Sequence, residues 1–336
     1  MNSDKRPFLI CGLGSIGRRH LHNLQSLGHS NIVLFRTGKS TLPENELEGL
    51  PVEFDLEEAL DKWRPAAAII ANPTSLHLEA AIPAAKAGCH LLLEKPISNS
   101  MDGVAELVDL VERNQLNVLV GFQFRFHPGL QAVKEILDQG QIGQPLSARV
   151  HWGEYLPGWH PWEDYRKSYS ARRDLGGGVI LTLCHPFDYL RWLFGDVAEL
   201  TAVLGEGEYL ELDVESQVDS ILCFEGGPLV SVHLNYDQRP PRHDLEIVGS
   251  QGTLRWDNGT GGVRIWNVSQ EQWIEHPAPE GFERNDLFMA EMRHFVELVQ
   301  GQGQSKCSLE DGVRALQIAL AVREAGQSGR RVELDL

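Results

Sequence analysis

The N-terminal part of the chain alternates short apolar runs with longer amphipathic stretches. "PFLIC" reads as a buried strand, and "SIGRRHLHNLQSLG" then places Ile16, His20, Leu24 and Leu27 at helical spacing before Gly28 closes it. A second apolar strand comes next in "IVLF", Ile32 to Phe35, so the unit has the length that a right-handed parallel crossover needs. The alternation continues through a helix at Asp55 to Trp63, a strand at Ala66 to Ala71, a helix in "SLHLEAAIPAAKAG" and a strand at His90 to Glu94. A helix at Met101 to Asn114 and a strand in "NVLVGF" complete it. Strands that are apolar on both faces belong to a parallel sheet covered on both sides. The pattern predicts an α/β, doubly wound Rossmann domain over residues 1–122.

From Ser147 the period changes. "SARVHWGEYL", "SQVDSILCFEG", "PLVSVHLNYD", "HDLEIVGSQGTLRW" and "GVRIWNV" alternate apolar with polar residues and are punctuated by glycine turns, the pattern of an antiparallel sheet with one wetter face. One helix, from about Val179 to Leu193, interrupts these strands, and two more, near Asn285 to Gln300 and Leu309 to Ala325, close the chain. Residues 123–336 therefore read as a second, α+β domain.

The bulk composition limits the partners. A chain of 336 residues, 42% hydrophobic and 23% charged, is an ordinary globular protein of two cores. Its net charge of −17 repels nucleic acid and anionic lipid surfaces, so neither is an expected partner. Cys11, Cys89, Cys184, Cys223 and Cys307 are odd in number and widely spread, which argues against a disulfide framework or a metal site and for a reducing cytoplasm. The opening residues lack the pattern of a signal peptide, and no run is long enough for a membrane span.

The chemistry starts at "CGLGSIGRRH". Gly12, Gly14 and Gly17 fit G-x-G-x-x-G between a strand and a helix: the first permits the turn, the second lets backbone approach a pyrophosphate, and the third allows close packing. Ser15 and Ile16 open the helix whose N-terminal N–H groups would receive the phosphate. A bare strand-helix corner would use the same glycines. At the end of the second strand, where an acidic residue would hold a ribose 2′-hydroxyl, stand Arg36, Thr37, Lys39 and Ser40. An arginine and hydroxyls suit a 2′-phosphate, so NADP is the expected cofactor and NAD the alternative; Arg36 and Lys39 would also fit a solvated loop.

"ANPTSLH" and "EKPIS" come after later strands, at the sheet edge where ligands bind. Pro96 pushes Lys95 away from helical dihedrals, at a place where its ammonium would project into the crevice. In "GGGVILTLCHPFDYLRWLFGD", Thr182, His185 and Asp188 recur every three residues along one helix face. A histidine with a carboxylate one turn away suits a general acid or base, although both also fit a structural histidine and a helix salt bridge.

"GLGSIGRRH", "NPTSLHLEAAIPAAKAGCHLLLEKPIS" and "GGGVILTLCHPFDYLRWLFGD" occur in the order and at the separations of the glucose-fructose oxidoreductase/inositol dehydrogenase/rhizopine catabolism (Gfo/Idh/MocA) family, which the chain resembles over nearly its whole length. The resemblance implies an N-terminal Rossmann domain and a C-terminal domain built on a large, mostly antiparallel sheet, whose open face makes a homodimer or homotetramer. It implies that Lys95 and His185 flank the nicotinamide and a sugar or cyclitol, Lys95 bonding the reacting oxygen and His185 exchanging its proton. Asp188 would bind substrate or orient the site, Pro73, Thr74 and His77 would line the nicotinamide ribose, and Glu94 would lie with Lys95 beside the cofactor. Relatives usually carry an aspartate three or four residues before the histidine, where this chain has Leu181 and Thr182; a threonine hydroxyl can bond a sugar but supplies no charge.

Further substrate contacts are expected from "GFQFRFHPGL", with Arg125 and His127, and from the loop "GEYLPGWHPWEDYRKSYSARRD", where Trp162 and Arg166 stand among other aromatic and charged residues. Aromatic faces suit sugar rings, and arginines suit a carboxylate or a nucleotide diphosphate. The expected activity is hydride transfer between NADP or NAD and a sugar, sugar derivative, sugar nucleotide or cyclitol. Two alternatives share the scaffold: a sensor that binds dinucleotide and sugar without turnover, and an NAD-dependent glycoside hydrolase.

Overall fold

A computed structural model describes residues 6–38, 47–161 and 163–335. The chain divides into two units, residues 1–123 with 284–313, and residues 124–283 with 314–336.

The first unit is a six-stranded parallel sheet in the order β3-β2-β1-β4-β5-β6. Its strands are β1 (Phe8–Cys11), β2 (Ile32–Phe35), β3 (Val52–Glu53), β4 (Ala67–Ile70), β5 (His90–Leu93) and β6 (Val118–Val120). β1 and β4 are buried on both faces, which is why they lack any alternation. The crossovers are α1 (Ser15–Ser26), α2 (Leu56–Trp63), α3 (His77–Lys86) and α4 (Val104–Arg113). Asp55 caps α2 by accepting the Glu58 N–H at 2.9 Å. Chain order reverses between β1 and β4, and in such a sheet that is where a ligand crevice opens.

Two long helices near the end of the chain are α8 (Arg284–Val299) and α9 (Leu309–Ser328). Segment 284–313 packs with the first unit, although its place in the chain predicts the second domain. Phe295 meets Phe8 edge-on at 6.4 Å, and the Arg19 guanidinium lies 4.3 Å over the Phe288 ring. Contacts of this kind depend on a distant partner, so local periodicity does not reveal them.

The second unit is a nine-stranded sheet in the order β14-β13-β12-β11-β7-β10-β9-β8-β15. The strands are β7 (Pro145–Tyr155), β8 (Val197–Glu206), β9 (Glu215–Phe224), β10 (Leu229–Asn235), β11 (Asp237–Gly249), β12 (Gly252–Asp257), β13 (Val263–Asn267), β14 (Gln272–His276) and β15 (Val332–Glu333). Neighbours are antiparallel except β7 and β10, which run parallel. Helices α5 (Pro128–Asp138), α6 (Val179–Thr182) and α7 (His185–Phe194) belong to this unit, and α5 and α6 pack on strands of its sheet. In β9 every second residue is buried, the mark of a sheet covered on one side. Trp256, Tyr189, Tyr236 and Phe187 are the largest side chains of the core beneath it.

Candidate active site

In the first unit the glycine turn comes directly after β1. Gly12 has φ +94°, and a Cβ there would come within 2.8 Å of backbone atoms of Ala71 and Asn72, at the end of the neighbouring β4. A Cβ on Gly17 would lie 2.0 Å from the Gly12 carbonyl oxygen. Both positions are therefore closed to any side chain, whereas a Cβ on Gly14 would meet open space. Arg18 Nε donates to Leu13 O at 3.2 Å and braces the turn from behind. The N-terminus of α1 receives no side-chain cap, and its first turn holds no acidic residue. Gly14 and Ser15 are exposed and Ile16 half-buried above unmet N–H groups, a setting that fits the pyrophosphate of a dinucleotide.

Arg36, 8% exposed, directly follows β2, with its backbone N–H on Glu53 O at 3.1 Å, and Thr37 beyond it is exposed. Lys39 lies outside the described residues. Pro73 precedes a short 3-10 turn, Thr74–Leu76, in which Thr74 is buried. His77 faces two carbonyl oxygens, Pro96 O at 2.8 Å from Nδ1 and Asn72 O at 2.9 Å from Nε2, so both ring nitrogens are engaged with backbone. It ties the loop after β4 to the turn after β5. Burial lowers its pKa, against the opposing charge of Glu94.

Glu94 also points inward. One carboxylate oxygen pairs with His20 Nε2 at 2.7 Å, and the other accepts the Lys95 backbone N–H at 3.2 Å. Burial raises the Glu94 pKa, yet the His20 hydrogen bond and the nearby His20, Lys95 and His77 charges outweigh it, leaving a net depression. Glu291 of α8 carries no signal in the sequence. It is 0% exposed, neither oxygen has a hydrogen-bond partner among the described residues, and burial together with the Glu94 charge pushes its pKa well up. Lys95, half-buried, stands at the carboxyl end of β5.

In the second unit the predicted single helix is two. α6 ends at Thr182 and α7 starts at His185, because Pro186 has no N–H to give Thr182 and its ring would strike that carbonyl. His185 and Asp188 share a helix; Thr182 does not share their face. His185 is buried, with Phe124 edge-on at 5.0 Å and the Trp152 indole tilted at 5.5 Å. Behind Trp152 the His243 ring stacks at 4.2 Å and 3°. Burial holds the His243 pKa well below its usual value, and its Nε2 lies 3.2 Å from the Tyr189 hydroxyl. Near Thr182 the buried Tyr236 hydroxyl donates to Ser170 O at 3.4 Å, and burial raises its pKa.

Asp188 is clamped rather than open. Arg125 Nε donates to Oδ2 at 2.9 Å and its terminal nitrogen to Oδ1 at 2.8 Å, the planar two-point pairing of guanidinium and carboxylate. Arg125 and Asp188, both expected at the substrate, thus engage each other. His127 caps α5 by accepting the Gly129 N–H at 3.0 Å and stacks on Phe124, and burial pushes its pKa down to about 4. The loop arginines are matched by neighbours: Arg166 is exposed and paired with Asp164 and Glu211, Arg172 with Asp174. Trp162 lies outside the described residues. Sequence reasoning misses Phe124, Trp152 and His243, whose shared wall around His185 comes from strand register: Trp152 sits opposite His243.

The family sequence model described as "Oxidoreductase family, NAD-binding Rossmann fold" matches residues 6–122, and the GFO/IDH/MocA C-terminal domain model matches residues 130–255. A 1,5-anhydro-D-fructose reductase of Ensifer adhaerens is 27% identical over 89% of this chain and 85% of its own. A myo-inositol 2-dehydrogenase of Thermotoga maritima is 26% identical over 97% of this chain and 98% of its own. Among solved structures, a levoglucosan dehydrogenase in complex with NADH and levoglucosan superposes with a TM-score of 0.85 at 20% identity, over 98% of this chain and 100% of that one, a likeness of fold.

Proposed function

Because the chain belongs to the Gfo/Idh/MocA family of NAD-binding oxidoreductases, we propose that it moves a hydride between a nicotinamide dinucleotide and a hydroxyl- or carbonyl-bearing carbon of a sugar, sugar derivative or cyclitol. The observation that carries the reading lies in one sheet. An uncapped, acid-free glycine turn after β1 and the Lys95 backbone after β5 stand on the same carboxyl edge, either side of β4.

The nicotinamide, when bound, supplies the hydride acceptor or donor. Lys95 donates a hydrogen bond to the reacting oxygen and favours its negative charge as the C–H bond breaks. His185 takes the hydroxyl proton on a ring nitrogen in oxidation and returns it in reduction. His77 holds the turn that carries Lys95, and the aromatic wall of Phe124 and Trp152 keeps water from the His185 ring.

A panel of myo-inositol, levoglucosan, D-glucose and a UDP-hexuronate, run with both oxidised cofactors and read at the absorbance of reduced nicotinamide, is expected to show net reduction with at least one member. Bound cofactor with no turnover would favour the sensor, and glycoside cleavage without net reduction the hydrolase. Arg36 gives NADP the advantage in this reading, through charge-assisted hydrogen bonds to a 2′-phosphate. Arg36→Ala is expected to weaken NADPH by about 10-fold and NADH by about twofold or less in fluorescence titrations; equal losses reverse the preference.

The face of the second sheet that presents Val203, Ile221, Leu229 and Val248 to solvent is assigned to contact between copies, as a homodimer or homotetramer. Light scattering of the wild type reads this directly, and a monomer at micromolar concentration removes the assignment. Five cysteines that form no disulfide among the described residues accord with a reducing cytoplasm.

A further inference from the structure

We infer that Glu154, at the head of the stretch GEYLPGW, is the substrate-binding carboxylate of the second unit, accepting a hydrogen bond from a hydroxyl of a polyol substrate close to its reacting carbon. The inference rests on the proposed redox reading and adds the group that selects the substrate.

Strand geometry places the residue. Along β7, Ala148, Val150 and Trp152 are the buried positions of one face, and period-two alternation puts Glu154 next on that face. A carboxylate there interrupts an apolar row, which costs stability unless it is partnered. Its hydrogen-bond partner is neutral: Trp152 Nε1 donates to Oε1 at 2.9 Å, and this is the indole that faces His185 at 5.5 Å. That bond fixes the side chain and, among the described residues, leaves the second oxygen and the negative charge without a paired cation.

Other carboxylates of this unit already have partners: Glu215, which also lies by Tyr236, faces the Ile180 N–H at 3.4 Å. Both oxygens of Asp188 are taken by Arg125, and Asp164 and Asp174 are exposed and paired with Arg166 and Arg172. Leu181 and Thr182 bring no charge.

The surroundings of Glu154 also suit a sugar. The Tyr236 hydroxyl, bonded to Ser170 O at 3.4 Å, lies within reach of the Tyr169, Glu215 and Glu154 side chains. The Trp159 ring stands edge-on to Tyr236 at 5.7 Å, and its indole N–H is buried with no hydrogen-bond partner among the described residues. Acceptor carboxylate, donor indole and aromatic faces are the groups that alternate hydroxyls and C–H faces require.

The test uses the full chain and whichever of myo-inositol, levoglucosan or D-glucose the wild type turns over. Glu154→Gln keeps the size and the indole bond but turns an acceptor into a donor. Its kcat/KM is expected to fall about 30-fold, mainly through KM, while NADH affinity and the thermal midpoint stay put. A deoxy analogue lacking the hydroxyl beside the reacting carbon is expected to lose a similar factor on the wild type and little more on the variant. Kinetics of the variant within threefold of wild type, or losses that multiply independently, overturn the assignment of Glu154 alone. Should Glu154→Gln not fold, Trp152→Phe, which releases the carboxylate, carries the same test, and an unchanged KM overturns it. A wild type that turns over none of the three removes the redox reading and this inference with it.

Discussion

Lys95→Ala is expected to lower kcat by about 10³-fold or more while NADH still binds within about twofold of wild type. The asymmetry comes from the different contacts that each part of the first unit makes. Dinucleotide binding depends on the glycine turn, whose Gly12 and Gly17 are closed to side chains and whose helix end is uncapped, and Lys95 takes no part in that packing. Its backbone N–H on Glu94 and the Pro96 carbonyl on His77 survive truncation at Cβ, so the turn keeps its shape. In the proposed reaction the truncation removes the cation that would meet the negative charge growing on the reacting oxygen, which matters in the transition state far more than in the ground state. Steady-state turnover with the best panel substrate, beside a fluorescence titration with NADH, separates the two effects. Turnover within tenfold of wild type would take Lys95 out of the reaction.

Elements with a strong local signal are legible in the sequence, and those defined by distant partners are not. β1, β4 and β5 are buried runs that could hardly be anything but central parallel strands, and the glycine pattern after β1 marks the junction with α1. β8 escapes a reading by periodicity because Val197, Leu200 and Leu204 also have helical spacing; pairing with β9 decides for the strand. β14 is an exposed edge with little apolar alternation. α5 begins at Pro128 inside a stretch whose arginine and histidine suggest a substrate loop, and His127 in that stretch caps the helix.

The site divides the same way. The glycine turn and the roles proposed for Lys95 and His185 rest on motif and chain context. The Arg125–Asp188 clamp joins residues 63 apart, and the wall of Trp152 and His243 depends on the register of β7 with β11. Glu154 leaves only a faint trace, a carboxylate at the end of an apolar face.

The clamp itself carries the second large effect. Asp188→Ala is expected to cost about 3–5 kcal/mol, a large share of the stability of a typical domain, because it leaves the Arg125 guanidinium buried and unpaired by carboxylate. The two side chains are 6% and 1% exposed, so water cannot replace the lost partner without opening the core. Urea denaturation followed by tryptophan fluorescence is well placed to see it, since every tryptophan but Trp63 lies in residues 124–283. The paired replacement Arg125→Met with Asp188→Leu removes both charges together and is expected to recover most of the loss, as packing takes over from a desolvated ion pair. If the single variant is as stable as wild type, the clamp is not holding this unit together. A stable double variant then separates architecture from chemistry: full turnover would leave Asp188 a role in packing alone, whereas a folded protein with turnover down about 100-fold keeps it at the reaction, setting the face of α7 that carries His185.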